Sequence, residues 1–187
     1  ADAAGRAGPR PHIAGAHLEG PFLGGRPGAH RTDRIVPPDR AWVDRLPGVV
    51  SVLTLAPEVD GAPAVIGRLS DRGVLVALGH SGATLEQARA GVDSGARLVT
   101  HGYNAMSALD HRAPGMVGAF LTDDRVAVSL IADGVHVHPA ALEVAFRCKP
   151  AEATVLVTDA VAWRAGHVGG IDVAHDGSAP RLADGTL

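Results

Sequence analysis

The chain has 187 residues, 46% of them apolar and 20% charged, with a formal net charge of −3. That is enough for a sizeable core and argues against a disordered chain. The near-neutral charge, the absence of a basic block and an aromatic content of 3% exclude the usual signatures of nucleic-acid binding.

In chain order, six short apolar runs alternate with helical stretches. The runs are His12–Leu18, Val49–Leu55, Val74–Leu78, Arg97–Thr100, Val126–Ile131 and Thr154–Thr158. Their β-branched, continuously apolar character predicts strands buried on both faces, as in a parallel sheet. Helices are expected over Ala62–Arg72, over Leu85–Ser94 with Thr84 as N-cap and Gly95 as stop, and over Pro139–Lys149 with Pro in the first turn. Gly24–Pro38 and Asn104–Gly118 read as long loops, and Gly166–Gly177 as the entry to a small β element. This alternation is the grammar of an α/β fold.

No stretch reaches the roughly 18 apolar residues of a membrane span, and no basic segment followed by an apolar run marks a signal peptide. The single cysteine, Cys148, lies in a helical pattern and suits a core or helix-face position. It fits a reducing, cytoplasmic compartment. The chain lacks an initiator Met and ends without a stop-like boundary, so both ends are expected to be cut from something longer.

The informative pattern lies at the ends of the strands. Glu19, Glu58, His80 and His101 come directly after the first four, Asp133 and His136 after the fifth, and Asp159 after the sixth. In an α/β barrel, groups from successive strand ends converge on one face. Glu19, His80 and His101 supply one carboxylate and two imidazoles, a set suited to an open catalytic Zn²⁺ site. Fe²⁺ or another first-row ion is also accommodated. Asp159 is the candidate to take a proton from water and return it to a leaving group, so the chemistry suggested is metal-assisted hydrolysis. Each residue also has a plainer reading. Glu19 could cap the Gly20-Pro21 turn, His80 bond backbone at a helix start, His101 be a buried His satisfied by a carbonyl, and Asp159 cap the next segment. In His136-Val-His138, the first is expected to reach the site and the second to start a helix, against a paired metal motif.

At these residues the sequence resembles the N-acetylglucosamine-6-phosphate deacetylases of the amidohydrolase superfamily. The matching segments are Gly15-Ala-His-Leu-Glu-Gly-Pro-Phe-Leu, Leu53-Thr-Leu-Ala-Pro-Glu, Leu78-Gly-His-Ser, Thr100-His-Gly-Tyr-Asn-Ala-Met, Ile131-Ala-Asp-Gly-Val-His and Val157-Thr-Asp-Ala. The resemblance implies a metal-dependent (β/α)8 TIM barrel, incomplete here at about six strand–helix units. Residues 1–165 would form the partial barrel and residues 166–187 the start of a C-terminal segment. It implies Glu19, His80 and His101 as metal ligands and Asp159 as catalytic acid and base. It also implies His30, Asn104, Ala105 and His136 as contacts of an amino sugar phosphate, and Arg112 as reaching the substrate phosphate across a homodimer interface. Two departures stand out. Gly102 occupies a place where the family carries a bulkier apolar residue, which predicts a looser loop. Val161-Ala-Trp-Arg replaces a small, Pro-rich continuation and predicts an altered sugar pocket. The alternatives are another amidohydrolase, such as a deaminase or cyclic-amide hydrolase, or a catalytically inactive fragment.

Overall fold

The computed structural model describes residues 13–160, 167–168 and 171–172. Six parallel strands lie side by side in strict sequence order: β1 (Ala16–Glu19), β2 (Val50–Leu55), β3 (Leu75–Leu78), β4 (Leu98–Val99), β5 (Ala127–Ile131) and β6 (Thr154–Val157). Helices α1 (Arg40–Asp44), α2 (Ala62–Asp71), α3 (Leu85–Asp93), α4 (Gly115–Thr122) and α5 (Pro139–Cys148) fall between consecutive strands. Every neighbouring pair being parallel and sequential, the sheet is the wall of a β/α barrel, two strands short of the eight that close one. A separate two-residue ladder pairs β7 (His167–Val168) with β8 (Ile171–Asp172), antiparallel, inside the stretch expected to hold a small β element. The expected division at residue 165 and the Val161-Ala-Trp-Arg departure lie outside the described residues.

Local chemistry explains the elements. The α3 start is a capping box: Thr84 Oγ1 accepts from the Gln87 N–H at 3.3 Å, and Gln87 Oε1 accepts from the Thr84 N–H at 2.9 Å. Its end meets Gly95 at φ +123°. Helix α5 begins at Pro139, with His138 Nδ1 accepting from the Ala140 N–H at 3.1 Å. His138 is thus a helix cap, as expected.

The core lies between the sheet and its helices. Val65, Ile66 and Leu69 of α2 and Met116 and Phe120 of α4 are fully or almost fully buried, together with Leu53, Leu55, Val76, Leu78, Val128 and Leu130 of the strands. At the far edge, Val155, Leu156 and Val157 of β6 are exposed.

Three readings need correction. Helix α4 begins inside the stretch read as a loop, because Gly115 to Leu121 is buried throughout and so carries no amphipathic stripe. Gly102 does not loosen its loop. It is buried, its φ is not in the left-handed region, and a Cβ there would lie 2.6 Å from Val128 Cγ2. The position is glycine because the space is full. Cys148 is exposed on α5, which leaves the helix-face reading and removes the core one. Among the described residues, no helix is long and apolar enough to cross a membrane.

Candidate metal centre

The sheet brings β1, β3 and β4 into one wall, and their ends carry Glu19, His80 and His101 to a single point. Glu19 Oε1 lies 2.8 Å from His80 Nε2 and 3.0 Å from His101 Nε2, and the two Nε2 atoms lie 3.0 Å apart. His80 and His101 are buried, and Glu19 is partly so. The plainer readings of Glu19 and His101 therefore do not hold. Glu19 turns to the imidazoles, and His101 Nδ1 is buried without a hydrogen-bond partner among the described residues.

The donor set fits a divalent ion. Three donors within 3.0 Å of one another sit slightly inside the roughly 3.3 Å edges of a tetrahedron with bonds near 2.0–2.1 Å. His80 is also prepared at its other nitrogen. Nδ1 stands 3.2 Å from the Arg26 carbonyl, which selects the tautomer with its hydrogen on Nδ1 and leaves the Nε2 lone pair free.

Burial works to raise the Glu19 carboxyl, but the imidazoles of His101, His30 and His80 beside it outweigh that and hold the group far below the ordinary carboxylate range. Burial pulls His101 down, yet the Glu19 hydrogen bond and charge leave it raised. For His17, on the same strand as Glu19, burial prevails and the imidazole is lowered. Its Nε2 lies 2.7 Å from Thr54 Oγ1, which in turn lies 2.7 Å from Thr100 Oγ1, so a polar chain runs from exposed His17 to two buried threonines.

Backbone strain marks the same rim. The non-glycine residues with left-handed φ among those described are His80, His101, Tyr103, Ala105 and Asp159. All five come after strand ends β3, β4 and β6. Such conformations cost about 1–3 kcal/mol each and persist where the surroundings enforce them, commonly at functional sites.

The other expected site residues divide. His30 is drawn in: its Nε2 lies 3.4 Å from Glu19 Oε2 and its ring stands edge-on to His80. Glu19, His30 and His80 form a group spaced to hold an ion, a possibility hidden in the sequence because His30 sits in an irregular loop. Asp159 is exposed at the end of β6, and its charge acts to raise both His101 and His17. His136 is held by Asp133, whose Oδ2 is 2.6 Å from His136 Nδ1. Asn104 turns inward on its own loop, donating to the His101 and Gly102 carbonyls at 3.3 Å. The Ala105 carbonyl accepts from the Ser81 N–H at 3.0 Å, seating this loop against the His80 turn. Arg112 lies on an exposed turn, where its backbone N–H is bound by Asp110 and its side chain makes no contact with the cluster.

Two structural supports were not legible in sequence. Tyr103 donates to the Ala141 carbonyl at 2.8 Å and packs edge-on to Phe120, anchoring the His101 loop on α5. Glu58, a strand-end acid, lies behind the cluster and bonds the His80 turn.

Comparison with known proteins finds the chain similar to sugar-phosphate deacetylases. No protein-family model matches the chain. N-acetylgalactosamine-6-phosphate deacetylase of Escherichia coli O157:H7 is 46% identical over 161 residues, covering 83% of this chain and 42% of the relative. N-acetylglucosamine-6-phosphate deacetylase of Bacillus subtilis is 36% identical over 185 residues, covering 94% of this chain and 47% of the relative. Among solved structures, a mutant of the Mycobacterium smegmatis N-acetyl-D-glucosamine-6-phosphate deacetylase, in complex with N-acetyl-D-glucosamine-6-phosphate, superposes with a TM-score of 0.77 at 43% identity. That match covers 80% of this chain and 40% of that one. The chain thus spans less than half the length of these relatives.

Proposed function

We propose, on the premise that the chain belongs to the N-acetylglucosamine-6-phosphate deacetylase family, that its site serves hydrolysis of the acetamide of N-acetylglucosamine 6-phosphate to glucosamine 6-phosphate and acetate. The observation that carries the reading is the convergence of Glu19, His80 and His101 within 3.0 Å from three different strand ends.

Glu19, His80 and His101 would hold the ion, with His30 adjacent to the free Glu19 oxygen. Zn²⁺ is the first choice for one carboxylate with imidazoles, and Fe²⁺ is compatible. Such an ion, when bound, acidifies water and polarises a carbonyl. Asp159 takes the proton of the attacking water and delivers it to the departing sugar amine. His136, its Nδ1 held by the Asp133 carboxylate, directs Nε2 to the substrate's acetyl or hydroxyl groups. Asn104 and Ala105 line the sugar side. Arg112, free on its exposed turn, would bind the phosphate of a site in a second subunit, its planar fork suiting phosphate oxygens. The protein is read as a cytoplasmic homodimer acting on a small amino sugar phosphate, with residues 1–165 forming the barrel part.

A second substrate has specific support, since the 46% identical relative is named for the galacto epimer. The test is acetate release from both 6-phosphates by the purified chain, with Zn²⁺ and with chelator. Chelator-sensitive release supports the reading, and the faster epimer names the substrate. A chain that binds Zn²⁺ yet releases acetate from neither fits the inactive-fragment alternative. An Asp159→Asn variant with undiminished release removes the assigned proton carrier.

A further inference from the structure

The carboxylate of Glu58 is fully engaged, and not by the metal-ligand cluster. Oε1 accepts from the Gly25 N–H at 3.0 Å and the Gly82 N–H at 2.7 Å, and Oε2 accepts from the Ser81 hydroxyl at 2.7 Å. Ser81 and Gly82 come directly after His80. Gly25 opens the loop that carries Arg26 and His30.

That loop makes three contacts with the cluster. The Gly24 N–H donates to the His80 carbonyl at 2.9 Å. The Arg26 carbonyl lies 3.2 Å from His80 Nδ1. His30 Nε2 lies 3.4 Å from Glu19 Oε2. One carboxylate therefore joins the turn behind His80 to the loop that sets the His80 tautomer. The glycines fit this closeness, since a Cβ on Gly24 would lie 2.0 Å from Glu58 Oε1.

We propose that Glu58 is a positioning residue of the metal centre: it clamps loop 24–30 to the His80 turn, so that the Arg26 carbonyl stays on Nδ1 and Nε2 stays open to the ion. The inference rests on the metal-centre reading above and adds a residue that touches neither ion nor substrate. Outer groups that orient a ligating imidazole typically change metal affinity about 10- to 100-fold.

The test is Zn²⁺ affinity of the whole chain, by competition with a chromophoric chelator, for wild type, Glu58→Ala and Glu58→Gln. Thermal unfolding of each variant is run alongside. Glu58→Ala should weaken binding about 10- to 100-fold. Glu58→Gln should stay near wild type, because the amide oxygen can accept both N–H groups while the Ser81 hydroxyl turns to accept from the amide nitrogen. A folded Glu58→Ala chain with wild-type affinity overturns the proposal. A wild-type chain that binds no Zn²⁺ overturns the metal centre itself, which is a separate result. Amide exchange in the wild type needs no variant: Gly25 and Gly82 should be protected relative to neighbouring loop amides, and free exchange at both overturns the clamp.

Discussion

The Nε2 atoms of His80 and His101 stand 3.0 Å apart, and both face the same oxygen of Glu19. With the His80 hydrogen on Nδ1, toward the Arg26 carbonyl, its bare Nε2 lone pair faces the Glu19 carboxylate, and a neutral His101 has one proton at Nε2 for both. A divalent ion satisfies all three at once. Zn²⁺ at a hundredfold excess over its dissociation constant should therefore stabilise the chain by about 2.7 kcal/mol. Chelator should reverse the gain, and Glu19→Gln should abolish it. Melting curves with and without metal decide the matter, and an unchanged midpoint contradicts the site.

The packing around Gly102 predicts a cost for any side chain there. A Cβ would meet Val128 Cγ2 at 2.6 Å and Phe120 Cζ at 3.2 Å. Gly102→Ala should destabilise by about 1–3 kcal/mol through overpacking. Denaturant midpoints measure it. A neutral or stabilising result would restore the loose-loop reading.

The polar chain His17–Thr54–Thr100, buried at its two threonines, predicts a polar cost at Thr54. Thr54 is fully buried, and its hydroxyl meets two partners at 2.7 Å. Thr54→Val keeps the shape and removes both bonds, so about 1–3 kcal/mol of stability should be lost. Chemical unfolding of the variant tests this, and a loss well under about 0.5 kcal/mol would show that the chain contributes little.

Two carboxylates away from the cluster contribute to acid sensitivity. The backbone N–H groups of His136 and Val135, with the His136 side chain, hold Asp133 at about 2 against an ordinary 3.8. Hydrogen bonding to Arg125 does the same for Asp123, at about 2. Because the folded values lie below the unfolded ones, their stabilisation is present above about pH 4 and is lost as pH falls toward about 2. Asp133 is exposed, so its share is small, whereas the Asp123 side chain is largely covered. Asp133→Asn should flatten part of the acid limb of a stability-versus-pH curve, and an unchanged limb counts against the assignment.

Much of this is legible in the sequence, for physical reasons that differ by element. The strands are readable because a covered parallel sheet demands uninterrupted apolar runs. Strands β2 to β6 begin and end within a residue of theirs, and β1 starts four residues inside its run. Contrary to expectation, the edge strands β1 and β6 are not buried on both faces. The start of α3 is readable because the Thr84 cap is a local signal. Helix α4 is not, since a helix buried all round has no periodicity to detect. Glu19, His80 and His101 can be picked out because strand ends converge in this architecture. The place of His30 against Glu19, and the role of Glu58, depend on the path of an irregular loop and on backbone N–H groups that carry no residue identity. Gly102 misleads because a glycine signals either freedom or crowding, and only its neighbours tell which.

The sequential order of parallel strands also has a kinetic consequence. Glu19 is 61 residues from His80 and 82 from His101, and no hairpin can bring any two of them together. Chain closure over such spans is slow, and it is rewarded only once the intervening β2 and its crossover helices have docked. Ion capture during refolding should therefore lag behind helix formation and appear as a late, single event. A metal-sensitive signal would then serve as a clock for completion of the wall from β1 to β4.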